Sequence, residues 1–218
     1  MADIPKTQFS RRGFLKGAGV TAATTVIESA NALARETKDA LRHDKSVGPD
    51  ALPVKLFING HEHSVMIEPR YTLADTLRDN LGLTGTKVVC DRGSCSACTV
   101  WIDKTPTLAC MTLAIDAVGR QITTIEGLSH GDTMHQVQAA FVKHDAMQCG
   151  FCTPGMVMSC AALLDRNPNP NLDDVKHAIS GNLCRCGTYP KVFSATLDVA
   201  QQRRQVAGLV TLAAGREA

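Results

Sequence analysis

Aromatic side chains are scarce, with two Tyr, one Trp and six Phe among 218 residues. No apolar run approaches the ~20 residues that a bilayer crossing needs. Charge is short of any bias, with 23 Lys and Arg against 21 Asp and Glu, and the two signs are equal once residues 1–34 are set aside. A body with no basic stripe and few stacking platforms excludes nucleic acid as a partner. The 44% hydrophobic content is spread along the chain, which excludes both a membrane span and wholesale disorder. The length suffices for one medium domain or two small ones with real cores. Against these scarcities stand nine cysteines.

The first segment reads as an address. Ser10-Arg11-Arg12-Gly13-Phe14-Leu15-Lys16 is a twin-arginine pattern, followed by a weakly apolar stretch from Gly17 to Ile27 and by the triplets Ala30-Asn31-Ala32 and Ala32-Leu33-Ala34. Pair, apolar run and small-residue cut site in that order make residues 1–34 a signal for the twin-arginine export machinery, cut near Ala32 or Ala34. That route carries proteins already folded, often with a cofactor installed, and implies the periplasm. An uncleaved leader acting as a weak anchor is the alternative. Residues 35–50 are charged and aperiodic, a linker.

The body divides by pattern near residue 128. Val54–Ile58 and His61–Ile67 read as strands joined by a tight Asn59-Gly60 turn. Thr72 and Asp75 form a capping-box pattern opening a helix to about Leu81. A Gly- and Ser-bearing loop from Cys90 to Cys98 is followed by strands at Thr99–Ile102, Thr107–Ile115 and Gln121–Ile125, giving a mixed α+β unit over 51–128. Trp101 is expected in the sheet core. Over 129–207 the pattern is helical: His135–His144, Met156–Arg166, Leu172–Ile179 and Lys191–Val206, the last opened by Pro190. Four short helices imply a compact bundle, with 208–218 a tail.

Eight cysteines fall into two sets. Cys90, Cys95 and Cys98 are separated by four and two residues, and eleven residues lie between Cys98 and Cys110. This is the spacing of plant-type [2Fe-2S] ferredoxins. Four thiolates must surround two irons, so the loop has to turn sharply and aim N–H groups at sulfur. Asp91-Arg92-Gly93-Ser94 and Ser96-Ala97 suit that. In the helical half, Cys149-Gly150-Phe151-Cys152 precedes one helix and Cys184-Arg185-Cys186 follows another, with 31 residues between Cys152 and Cys184. Thiolates at a helix N-terminus gain from the dipole and its free N–H donors, and Arg185 offsets part of a cluster's negative charge. A disulfide scaffold fits poorly, because the count is odd and cysteines one or two residues apart make strained bridges. Zinc remains the other metal, although the four-residue gap and the C-x-C pair suit it less. Cys160, Met156 and Met158 read as packing residues, and His61 and His63 as a solvated pair rather than a metal site.

These residues carry a resemblance to a known family. Gly85-Thr86-Lys87, the Cys90–Val100 loop, Thr124-Ile125-Glu126-Gly127-Leu128, Gln148-Cys149-Gly150-Phe151-Cys152-Thr153-Pro154-Gly155 and Gly181-Asn182-Leu183-Cys184-Arg185-Cys186 resemble the small iron–sulfur subunit of the molybdenum hydroxylases, the xanthine oxidase and aldehyde oxidoreductase group. With the leader, the sequence is similar to the periplasmic aldehyde oxidoreductase kind. The resemblance implies a β-grasp ferredoxin domain followed by a four-helix-bundle [2Fe-2S] domain. The outer cluster falls to Cys90, Cys95, Cys98 and Cys110, and the inner one to Cys149, Cys152, Cys184 and Cys186. It further implies a large molybdopterin-binding partner subunit, approached by Gln148 and Cys186. Electrons pass on to an FAD subunit or a cytochrome c. The substrate chemistry, an aldehyde oxidation, lies on the partner, so this chain has no catalytic residue. Departures are Val89 and Ser96, where the family commonly has Gly, and Gly187-Thr188 in place of Thr-Gly. A lost glycine that required positive φ implies a locally rebuilt loop. Readings from other classes are a stand-alone two-cluster carrier, which a neutral body disfavours, the same subunit serving an N-heterocycle hydroxylase, and a zinc-stabilised binding module.

Overall fold

The computed structural model describes residues 48–214, with side chains through residue 207. The leader over 1–34 and the linker over 35–50 as far as residue 47 lie outside the described residues. Strands β1 (Leu52–Ile58) and β2 (His61–Ile67) form an antiparallel hairpin. Its turn residues Asn59 and Gly60 hold φ of 52° and 85°, the left-handed pair that a two-residue hairpin with native twist demands. Strands β3 (Thr99–Ile102), β4 (Thr105–Leu108) and β5 (Gln121–Thr123) complete a sheet of order β2-β1-β5-β3-β4, in which only β1 and β5 run parallel.

Helix α1 (Leu73–Asp75) opens with the anticipated Thr72–Asp75 capping box and continues through a wider π-turn over Thr76–Asn80. Leu73, Ala74 and Leu77 bury among Leu56, Ile58, Val100 and Ile122 of the sheet, forming the first core. The strand expected over Thr107–Ile115 stops at Leu108, and the chain goes on through 3-10 turns at Ala109–Met111 and Ala114–Ala117. The reason is pairing. β4 has only the four residues of β3 as partner, and the chain must then turn in to bring Cys110 back beside Cys98.

Beyond Leu128 four helices follow: α2 (Gln136–Lys143), α3 (Thr153–Arg166), α4 (Leu172–Ala178) and α5 (Tyr189–Ala214). Helix α3 starts three residues earlier than expected because Pro154 occupies its first turn, where a missing N–H is harmless. Helix α5 runs through Gly208 to Ala214, so the residues read as a tail are helical as far as 214. A single glycine costs about 1 kcal/mol against alanine, too little to stop a long helix.

Trp101 corrects a further expectation. Strand β3 is buried on both faces. Val100 and Ile102 enter the sheet core, whereas Trp101 points the opposite way into the helical core with Met156, Met158, Cys160 and Leu164. Its indole N–H donates to the Met158 carbonyl at 3.0 Å. The alternation of a strand explains this, since one face was already filled by α1. Cys160 is wholly buried and its thiol is pushed up to about 12 by burial, as a packing residue requires.

Candidate metal centres

The first cysteine set grows out of a loop held in left-handed backbone. Asp91, Gly93 and Ser96 have φ of 52°, 71° and 54°, so the chain coils tightly enough to turn amide groups inward. The Ser94 N–H donates to Cys90 Sγ at 3.3 Å. N–H groups of Arg92, the Cys95 side chain, and N–H groups of Ser94 and Cys95 together outweigh burial and hold the Cys90 thiol down to about 7. Cys98 sits deeper, and burial pushes its thiol up to about 12 despite a bond from the Cys110 N–H. Cys110 comes from the 3-10 turn after β4, not from a strand.

Ser96 adopts the left-handed conformation itself. Its carbonyl accepts from Thr99 Oγ at 2.8 Å and Asn182 Nδ2 at 3.1 Å, which fixes the strained peptide. Val89 is not in left-handed backbone, and its side chain is exposed. Replacing Ser96 with Gly should therefore stabilise the body by about 0.5–1 kcal/mol, since the left-handed penalty exceeds the entropy that glycine adds. A thermal melt of the holoprotein checks this, with a rise of about 1–4 °C expected.

In the second set Cys149 and Cys152 flank Gly150, at φ 84°, and Phe151, just ahead of α3. Cys184 and Cys186 lie between α4 and α5. Burial opposes ionisation of Cys184, but the Thr188 hydroxyl, 3.2 Å from its Sγ, and N–H groups of Thr188 and Gly187 bring the thiol down to about 7. Burial, then Cys184 and Cys149, push Cys152 up to about 12. The Tyr189 hydroxyl accepts from the Cys184 N–H at 2.8 Å and donates to the Asn182 carbonyl at 3.0 Å, clasping the loop. The exchanged Gly187-Thr188 fits this local form: Gly187 takes φ 77° and Thr188 is buried against the sulfur.

The thiols stand in pairs: Cys90 with Cys95, Cys98 with Cys110, Cys152 with Cys184, and Cys149 with Cys186. Among the described residues no three His, Cys, Asp or Glu side chains gather to hold a single metal ion. Pairs suit a two-iron cluster, which takes two thiolates on each iron. A buried thiol must lose its proton to ligate, so iron charge offsets what burial opposes at Cys98 and Cys152.

The two sets also meet. Cys90 and Cys95 share one cavity of about 520 Å³ with Cys149, Cys152 and Cys184. The Leu183 N–H donates to the Cys95 carbonyl at 3.1 Å. Helix α3 presses on the first loop so closely that a Cβ at Gly155 would stand 2.2 Å from the Ser96 carbonyl oxygen. Gln148 is exposed and Cys186 half-buried. Phe151 and Leu183 are exposed beside the cavity. The motif Thr124–Leu128 is anchored to the sheet unit, where the Asn59 side chain accepts from the Thr124 N–H and Glu126 accepts from the Gly85 N–H at 2.8 Å, while Leu128 and Ile125 pack into the helical core. His61 is exposed and His63 half-buried on β2.

A sheet unit with one cysteine loop and a helical unit with two cysteine turns define a double iron–sulfur protein. Residues 56–114 match the 2Fe-2S iron-sulfur cluster binding domain, 124–197 the [2Fe-2S] binding domain, and 8–27 the TAT (twin-arginine translocation) pathway signal sequence. The chain is 39% identical over 206 residues to the aldehyde oxidoreductase iron-sulfur-binding subunit PaoA of Escherichia coli, with 88% of each chain covered. It is 44% identical over 153 residues to the nicotine 6-hydroxylase small subunit of Paenarthrobacter nicotinovorans, covering 70% of this chain and 92% of that one. The crystal structure of quinoline 2-oxidoreductase from Pseudomonas putida 86 superposes with a TM-score of 0.69 at 44% identity, covering 72% of this chain and 98% of that chain. The chain belongs to the [2Fe-2S] iron–sulfur subunits of the molybdenum hydroxylase family, and it carries a twin-arginine signal sequence. Among the described residues no helix is long and apolar enough to cross a membrane.

Proposed function

We propose that this chain is the electron-transfer subunit of an exported molybdenum hydroxylase, a β-grasp ferredoxin domain over 51–128 joined to a four-helix-bundle domain over 129–207. In this reading Cys90, Cys95, Cys98 and Cys110 hold an outer cluster, and Cys149, Cys152, Cys184 and Cys186 an inner one. Each bound cluster supplies a site for one electron. Gln148 and Cys186 face the molybdopterin of a large partner subunit, where an aldehyde is oxidised. An FAD subunit or a cytochrome c takes the electrons away from the outer side. The leader is cut near Ala32 or Ala34 and the loaded complex reaches the periplasm by the twin-arginine route.

The observation that carries the reading is the shared cavity of about 520 Å³, onto which both cysteine sets open. This chain's residues do the positioning. The left-handed turns at Asp91, Gly93 and Ser96 and the donors on Cys90 and Cys184 aim N–H and hydroxyl groups at sulfur. Such bonds tune the potential of an iron–sulfur site. The Tyr189 clasp and the Leu183–Cys95 bond fix the distance between the sets.

Anaerobic addition of an aldehyde to the purified complex should bleach its visible absorption. No bleaching with any aldehyde, and bleaching with a nicotinate-like N-heterocycle, would move the assignment to the second reading, favoured by the 44% identity to the nicotine 6-hydroxylase small subunit. Export is tested separately. Changing Arg11 and Arg12 together to Lys should strand the activity in the cytoplasm, lowering the periplasmic fraction at least about tenfold. An unchanged periplasmic fraction would contradict the route.

A further inference from the structure

Beside Cys149 lies a second cavity, of about 380 Å³, whose walls come from both halves of the body. Cys149, Gly150 and Phe151 form one wall, and Arg78, Lys87 and Val88 the other. Both cations are half-buried, and among the described residues neither is paired with a carboxylate. They are not loose. Arg78 Nη1 donates to the carbonyls of Thr84 at 3.0 Å and Thr86 at 2.9 Å, and Lys87 Nζ donates to Thr84 at 2.7 Å. The nearby Glu126 carboxylate is engaged by the Gly85 N–H and the Thr124 hydroxyl and does not line the cavity.

We propose that Arg78 and Lys87, supplied by the first domain, are fixed positive charges that raise the reduction potential of the iron–sulfur centre held by Cys149 and its three companions. The inference rests on the ligand assignment made under Proposed function. Four thiolates leave such a centre negatively charged, and reduction adds one more negative charge. A cation held at its edge stabilises the reduced form more than the oxidised one. One electron leaves the donor and enters the centre, and no bond to Arg78 or Lys87 forms or breaks. Three carbonyl bonds hold the two heads against the Thr84–Thr86 loop, which fixes their position at the cavity wall. Their place is also asymmetric: Cys149, of the second set, lines the cavity they border, and no cysteine of the first set does. The effect therefore falls on the inner centre and pulls electrons inward from the partner.

Glutamine can still donate to the loop carbonyls but carries no charge, so it separates capping from electrostatics. The experiment is an EPR-monitored redox titration of the holocomplex carrying R78Q, K87Q, both, R78K or K87R, with iron content measured alongside. In the double glutamine variant the reduced-to-oxidised ratio of the inner centre at a fixed potential should fall about tenfold, equivalent to ~59 mV for one electron. The outer centre should stay in place, and R78K and K87R should match wild type. An unmoved inner centre, equal shifts of both centres, or a shift as large in the charge-conserving variants would overturn the proposal. Should R78Q lose iron, K87Q alone decides, with about a threefold fall expected. A wild-type complex lacking two distinct [2Fe-2S] signals would instead overturn the ligand assignment.

Discussion

Replacing Cys184 with alanine should remove the inner centre and leave the outer one. Iron in the purified complex is expected to fall from about four to about two per chain. Alanine is the right probe, because a serine oxygen can itself ligate iron. Cys184 is paired with Cys152, and its thiol is held near 7 by Thr188 and neighbouring N–H groups. Its loss leaves Cys152, which burial pushes up to about 12, without a companion that ionises easily. Turnover with an artificial acceptor that draws electrons from this subunit should drop by more than about a hundredfold, since changes in groups merely touching a ligand already reach that figure. Full iron content and wild-type turnover in this variant would contradict the assigned route.

The second large effect belongs to Gly155. Its missing side chain lets α3 lie against the first cysteine loop, and a Cβ would meet the Ser96 carbonyl oxygen at 2.2 Å and the Ala97 Cα at 3.1 Å. Both are backbone atoms that a rotamer change cannot move. Gly155→Ala should cost about 3 kcal/mol, at the upper end of ordinary overpacking. For a body of this size that lowers the melting temperature by roughly 6–12 °C. The loop and helix can relieve the clash only by parting, which lengthens the Ser96–Asn182 and Cys95–Leu183 bonds that link the two sets. Electron transfer between the centres should slow in the same variant. Gly48→Ala is the control, because nothing lies within 4 Å of a Cβ there. A melt equal to wild type for Gly155→Ala would show that the two halves do not press together at this point.

Much of the fold was legible because local chemistry decided it. Asn59-Gly60 can make a two-residue turn, Thr72 and Asp75 can cap a helix, and both do so. The helix starts after His135 and Asn171 likewise follow from side chains that accept from backbone N–H groups. What stayed hidden depended on long-range packing. Thr107–Ile115 has a strand's composition, yet its pairing ends at Leu108 for want of a longer partner. Trp101 looks like a sheet-core residue until the occupied face of β3 sends it to the helical core. The cysteine spacings drew attention to two sets, but which thiols pair depends on how the loops fold back. Arg78 carried no signal, and Lys87 stood out only as part of the Gly85-Thr86-Lys87 motif, because their relation to Cys149 arises only when the two halves are packed. Ser96 was legible as a position where the family commonly has Gly, and of the two such positions it is the one in left-handed backbone, at φ 54°.

The most direct test of the account is elemental analysis of the natively purified complex for iron, molybdenum and zinc per copy of this chain. About four irons, with molybdenum co-eluting in a larger assembly, is the predicted result. Zinc in place of iron would contradict it and leave the two cysteine sets as structural sites. Iron without molybdenum or a large partner would contradict the partner assignment and make this chain a free carrier.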